Sequence, residues 1–231
     1  MTRTLIVCLI SLLIATGCRK KTEKPEITQG RLEYRITYET DSAHRKLVDL
    51  LPHRMKLVFN QDSAINIMEG FMGIYKLNSI SYFSISYFRT KKCSTLLKIP
   101  KYAFLYTGKR GEPMCCYDPM DNMIVHRTDE TKEILGFTCR KANITFPGSD
   151  YSYSVYYTND IDIRNVNSTN PYKKIEGVLM EFELNMYYFR MRFTADKYVA
   201  DLKNDARFTV PANYQELTRE QMIQLLGRYL E

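Results

Sequence analysis

Tryptophan is absent from this chain and histidine is nearly so: His44, His53 and His126 are the only three. They stand far apart, and none belongs to a ligand spacing such as H-x-x-x-H, so they read as rim or surface residues rather than metal ligands. Also missing are the G-x-S-x-G, Walker and G-x-G-x-x-G patterns of nucleophile elbows and phosphate-binding loops. Acid pairs such as Glu181 and Glu183 fall on the polar side of an alternating strand, where a solvated face is the simpler reading. The expectation is a non-catalytic protein with no cofactor and no metal.

Long apolar runs are lacking as well. The longest, Leu5 to Ile14 ("LIVCLISLLI"), has ten residues, half the roughly 20 that a membrane-spanning helix needs. With Arg3 before it and small residues after it, the segment reads as an export signal that is removed. Ala15-Thr16-Gly17-Cys18 resembles a bacterial lipobox, in which the cysteine is acylated and becomes the first residue. Ala15 stands where leucine is preferred. The three domains expected are a signal over 1–17, a lipidated tether over 18–29 and a single folded domain over 30–231. Arg19, Lys20 and Lys21 would then lie against lipid head groups. In the bacterial lipoproteins that this motif resembles, an aspartate after the cysteine retains the protein in the inner membrane and an acidic run sends some to the cell surface. Neither is present here, so the resemblance implies the periplasmic face of the outer membrane. Cys8, inside the apolar run, is a small hydrophobe.

The formal charge of the 231-residue chain is +7. Loss of residues 1–17 removes only Arg3, leaving 32 positive and 26 negative side chains, a balance of +6. Acids and bases are interleaved along the chain, which describes a mixed solvated surface and argues against a nucleic-acid partner.

What the sequence has in quantity is tyrosine, 18 of 231 residues, with 11 phenylalanines and only 10 glycines. That mixture favours strands, because aromatic and β-branched side chains suit a pleated, half-buried surface. In "RLEYRITYE" the apolar Leu32, Tyr34, Ile36 and Tyr38 alternate with charged or polar residues, which predicts a half-covered antiparallel strand. Further strands are predicted over 55–60, 64–68, 80–88, 96–99, 103–107, 122–127, 137–146 and 151–158, and over the pair 178–184 and 187–195, whose parity shift implies a tight turn near Asn185. Asp41 or Ser42 is expected to cap a short helix ending at Leu51 before Pro52. Thr218 and Gln221 form a capping-box pair, with Leu217 and Met222 at the staple positions of a C-terminal helix. Many strands and two amphipathic helices predict an α+β domain with one large curved antiparallel sheet.

Four stretches, "TKEILGFTCRKANITF", "YYTNDIDI", "IEGVLMEFEL" and "FTVPANYQELT", together resemble the uncharacterised Gram-negative envelope lipoproteins classed as a domain of unknown function. Those are similar in fold to the lipoprotein carriers and receptors of outer-membrane sorting. The resemblance implies an open half-barrel whose concave face is covered by short helices. Leu47, Leu51, Met222, Leu225 and Leu226 then become the candidates for a lid over an apolar ligand. The expected partners are the membrane, through the N-terminal lipid, and an apolar ligand such as an acyl chain or another lipoprotein's anchor. The alternative is a structural or interaction module of an envelope complex with a filled core.

Four cysteines remain after Cys18: Cys93, Cys115, Cys116 and Cys139. An even number in an oxidising compartment invites disulfides. A bridge between the neighbours Cys115 and Cys116 requires a strained ring, so a bridge from Cys93 or Cys139 to that loop is the expectation. Asn143 and Asn167 head N-x-[ST] sequons that read as chance matches.

Overall fold

A computed structural model describes residues 26–71, 79–200, 202 and 208–230. The signal segment, Cys18 and all of the tether before Glu26 lie outside the described residues. The tether's last residues do not hang free: Ile27 forms a parallel bridge with Ile161, and the Asp162 N–H donates to Ile27 O at 2.9 Å. The folded body therefore starts before Gly30.

Among the described residues, twelve strands form one sheet. They are β1 (Gly30–Glu39), β2 (Arg54–Phe59), β3 (Ser63–Phe71), β4 (Ser79–Tyr87), β5 (Lys92–Ile99) and β6 (Tyr102–Thr107), followed by β7 (Ile124–Ile134), β8 (Phe137–Thr145), β9 (Ser152–Thr158), β10 (Val178–Met186), β11 (Phe189–Val199) and β12 (Gln215–Glu216). Their order is β12-β6-β5-β4-β3-β2-β1-β11-β10-β9-β8-β7. Pairing is antiparallel throughout, except that the short β12 runs parallel to β6. The β1–β11 pair, with Tyr34 opposite Ala195 and Ile36 opposite Phe193, joins the two meanders.

The period-two reading of β1 holds: Leu32, Tyr34 and Ile36 are buried while Arg35 and Thr37 are exposed. In the β10–β11 hairpin, Phe182 faces Phe193 and Met186 faces Phe189, and the two phenylalanine rings 182 and 193 stack with centroids 4.7 Å apart. The turn itself is Tyr187–Tyr188, two residues later than Asn185. Tyr187 takes the unusual φ of 53° because both its ends are held. Its N–H donates to Asp118 Oδ1 at 3.3 Å and its hydroxyl to Ile223 O at 2.5 Å.

Helix is scarce, and the α+β expectation is overturned. The segment expected as a helix to Leu51 is a single 3-10 helix, Arg45–Leu50, with no buried residue. Six residues give too few intrahelical bonds to offset nucleation, and its apolar side chains are only partly covered. Asp41 does not cap it as an α-helix; its carboxylate accepts the His44 N–H at 3.0 Å. The sole α-helix among the described residues is α1, Arg219–Leu230. There the capping box forms as expected: the Thr218 N–H donates to Gln221 Oε1 at 2.9 Å and the Gln221 N–H to Thr218 Oγ1 at 3.2 Å.

The sheet is open, and helices are not its main cover. Its core face is covered by two irregular segments, 108–123 and 159–177, which contribute Met114, Cys115, Cys116, Tyr117, Met120, Met123, Ile161, Ile163, Tyr172 and Ile175 to one buried cluster with all the longer strands but β7. Met222, Leu226 and Leu230 of α1 join that cluster at one end. Among the described residues, the opposite face is covered only over β3–β6, where Val210 and Tyr214 pack on Ile85, Leu96 and Leu105. A half-barrel closed by two amphipathic helices is thus replaced by a mostly β architecture filled by its own loops.

Candidate functional site

The core face of β4 and β5 carries small polar side chains where an apolar-ligand cavity would need hydrocarbon. Ser84, Ser86 and Thr95 are buried, and each anchors a covering segment. Ser86 Oγ and Thr169 Oγ1 lie 2.8 Å apart, Ser84 Oγ meets Met114 Sδ at 2.7 Å, and Thr95 Oγ1 accepts the Cys115 N–H at 3.2 Å. Tyr82 donates to Cys115 O at 2.7 Å, and the Met114 N–H to Thr169 O at 2.8 Å ties the two segments to each other. Buried polar groups without partners cost free energy, so these pairs fix the segments in one seat.

Segment 159–177 is braced from within. Asn167 is buried and its Nδ2 donates to Ile175 O at 2.8 Å and Gly177 O at 2.9 Å. The residue that looked like a chance sequon is a structural strut. Asn143, the other sequon residue, accepts from Ser154 Oγ at 3.0 Å across β8–β9.

Space left on the core face is small. A recess of about 50 Å³ lies under the covering segments beside Tyr34, Met114 and Tyr172. A second, of about 70 Å³, lies at the end of the sheet between the 3-10 helix and α1, lined by Leu51, Pro52, Met68, Phe189, Leu226 and Leu230 among others. Of the five proposed lid residues, Leu51 and Leu226 meet at this recess, whereas Leu47, Met222 and Leu225 do not line it. Met222 is a core residue at 1% exposure. Pockets that enclose drug-sized ligands run to about 300–1,000 Å³, so neither recess holds an acyl chain as it stands.

Cysteine pairing differs from the expectation. Cys115 and Cys116 are bonded to each other, with Cα atoms 3.8 Å apart, and Cys93 and Cys139 are free and buried. Cys93 and Cys139 sit on β5 and β8, eight places apart in the sheet order. The Cys93 thiol faces Glu112 O at 3.8 Å, three residues before Cys115, and so misses both loop sulfurs. Cys116 accepts the strained turn with φ of 78°. Burial pushes both free thiols up to about 11, which keeps them protonated and poor nucleophiles near neutral pH. Thiol titration of the denatured, unreduced chain lacking residues 1–18 should therefore count two free thiols. Four would mean no bridge, and none would mean that Cys93 and Cys139 are bridged as well.

Among the described residues, the three histidines do not converge. His44 stacks on Tyr188 at 3.8 Å, His53 meets Tyr38 edge-on and His126 pairs with Thr145 at 3.0 Å. No group of three or more metal-binding side chains occurs among the described residues. Glu181 and Glu183 are not simply solvated. Glu181 pairs with Lys132 at 2.8 Å, and the buried Glu183 accepts from Arg192 at 3.0 Å and from the Tyr151 hydroxyl. Burial raises the Asp118 carboxyl above the usual carboxylate range, opposed by the Tyr187 N–H that it accepts.

No protein-family model matches the chain, and no curated protein matches it. Among solved structures, the crystal structure of a DUF1329 family protein from Desulfovibrio piger is similar over 80% of this chain and 91% of that one. That likeness is weak, with 9% identity and a TM-score of 0.22. No helix among the described residues is long and apolar enough to cross a membrane.

Proposed function

We propose that this protein is a lipid-anchored interaction module without catalytic activity, held by Cys18 at the periplasmic face of the outer membrane and offering a filled, rigid sheet to an envelope partner. The observation that carries the reading is the seating of segments 108–123 and 159–177 on the core face, which leaves recesses of only about 50 and 70 Å³. The signal-like N-terminus and the lipobox-like Ala15-Thr16-Gly17-Cys18 support the anchor. A second reading, binding of an apolar chain end, is supported by the recess at Leu51 and Leu226, whose lining is almost wholly apolar.

Two measurements test the reading. Intact mass of membrane-extracted protein should show a chain that starts at Cys18 and carries acyl groups; a soluble protein with an unmodified N-terminus would end the anchor. Titration of a fluorescent fatty acid should show no saturable binding at micromolar protein. Saturable binding that Leu51→Asp weakens, with the far-ultraviolet dichroism unchanged, would transfer the assignment to the apolar-ligand reading.

A further inference from the structure

The strand registers sort the loops to two ends of the sheet. Gly30 pairs with Phe59, Ser63 with Tyr87, Lys92 with Tyr87, and Ser94 with Thr107. The chain's entry, the β2–β3 and β4–β5 turns and the exit from β6 therefore share one end. Thr158 pairs with Val178, which brings segment 159–177 to that end too. The apolar recess, the 3-10 helix and the Tyr187–Tyr188 turn occupy the other.

The entry end is rich in cations. Arg89, Lys91 and Lys92 lie in and after the β4–β5 turn, and Lys109 and Arg110 follow β6. The Gly111 N–H donates to Lys91 O at 2.7 Å and Lys173 Nζ to Gly111 O at 2.6 Å, which draws these three pieces of chain into one corner. All six side chains are exposed. Glu112, the acid nearest in sequence, is committed elsewhere: it accepts the Lys109 N–H at 2.8 Å and faces Arg219 at 3.4 Å. Lys91 and Lys173, with Arg164, line an open groove of about 630 Å³ that also holds Asp162 and Glu176. Further acids on that side are Asp62 in the β2–β3 turn, whose backbone carbonyl accepts the Phe88 N–H, Asp160, which accepts the Thr138 N–H at 2.9 Å, and Glu26, which is hydrogen-bonded to Asp162. Asp162 is also the residue whose N–H holds Ile27, so the chain from Cys18 arrives at the rim of this groove.

We propose that this corner is a docking surface for anionic phospholipid head groups. It rests on the anchor reading for its orientation. Only seven residues, 19–25, separate Cys18 from Glu26, a span of at most about 29 Å, so an acylated Cys18 keeps the cationic end, and not the apolar one, turned to the bilayer. Exposed lysine and arginine near an anionic leaflet are attracted over about a Debye length. Nucleic acid would meet the same charges, but the chain's route to the membrane favours lipid.

Every strand, the core and α1 lie after Glu26, so a chain from Glu26 to Glu231 keeps the folded body without signal, lipid or tether. Its co-sedimentation with vesicles of phosphatidylglycerol and phosphatidylcholine is the test, with pure phosphatidylcholine vesicles beside it. Binding to the anionic vesicles should weaken with salt and fall about tenfold or more in the variant carrying K91E, K92E, K109E and R110E. The variant carrying R45E and K46E, at the opposite end, should bind as the parent does. Equal binding to both vesicle types, equal loss in both variants, or binding of duplex DNA in place of vesicles would overturn the proposal. The intact mass at Cys18 is read on the full chain and is independent of this experiment, so the anchor and the docking surface can fail separately.

Discussion

Replacing Tyr172 with phenylalanine should destabilise the fold by about 2–4 kcal/mol, although no atom but one oxygen is lost. That hydroxyl is fully buried and uses its whole hydrogen-bonding capacity. It donates to Glu183 O, accepts the Glu183 N–H at 3.2 Å, and meets the Tyr153 hydroxyl at 2.8 Å. The ladder between β9 and β10 shifts register between Leu179 and Glu181, and its last pair is Glu181 with Tyr156. Beyond that point the Tyr172 hydroxyl stands in for the missing strand partner. Phenylalanine would leave a backbone donor, a backbone acceptor and a tyrosine hydroxyl unpaired inside the protein. Tyr172→Ala would add the loss of the ring, which meets Phe182 edge-on at 5.9 Å, and bring a further cost of about 3–5 kcal/mol. Denaturant midpoints at constant slope would measure both, and a phenylalanine variant within about 0.5 kcal/mol of the parent would show that the hydroxyl is dispensable.

Gly177→Ala should cost about 3 kcal/mol or more. Gly177 has φ of +122°, and a Cβ there would stand 2.6 Å from Thr158 O and 3.1 Å from Asn159 Nδ2. Neither neighbour can give easily, since Thr158 is paired with Val178 and Asn159 donates to Glu176 O at 3.2 Å. The carbonyl of Gly177 is also one of the two that Asn167 holds. Gly148→Ala separates conformational strain from steric conflict. Its φ is +74° with nothing within 4 Å of the added Cβ, so only the left-handed backbone penalty of about 1–2 kcal/mol applies. Thermal or denaturant unfolding of the two variants should rank Gly177→Ala clearly lower, and equal losses would refute the close approach.

Tyr172, Asn167 and Gly177 mark where sequence reasoning stopped. Each sits in a stretch without periodicity, and each acts through partners set by the fold: Tyr172 on β10 and β9, Asn167 on carbonyls eight and ten positions ahead. Serine and threonine in β4 and β5 were the available hint, because Ser84, Ser86 and Thr95 share the core face with the apolar Tyr82, Cys93 and Leu97. A strand meant to face a lipid cavity would not place hydroxyls there, but the same residues suit a solvated face equally well in sequence. Both faces of β4 and β5 are covered, by segment 108–123 on one side and by Val210 and Tyr214 on the other, so simple alternation had no polar face to report.

Most strands are legible in the chain, although β5 starts at Lys92 and not at residue 96, β7 runs on to Ile134 past the expected residue 127, and the short parallel β12 is not among the expected strands. Period-two alternation in β1, β8, β10 and β11 and the reciprocal Thr218–Gln221 cap are local regularities, and local side-chain geometry reproduces them without reference to distant partners. The Cys115–Cys116 bridge, the single 3-10 turn in place of a helix and the filling of the core face were decided by tertiary structure. A sulfur pairs with the sulfur it can reach, a short amphipathic segment becomes a helix only where a surface waits to bury it, and a sheet face is filled or open according to which loops find hydrogen-bond partners on it.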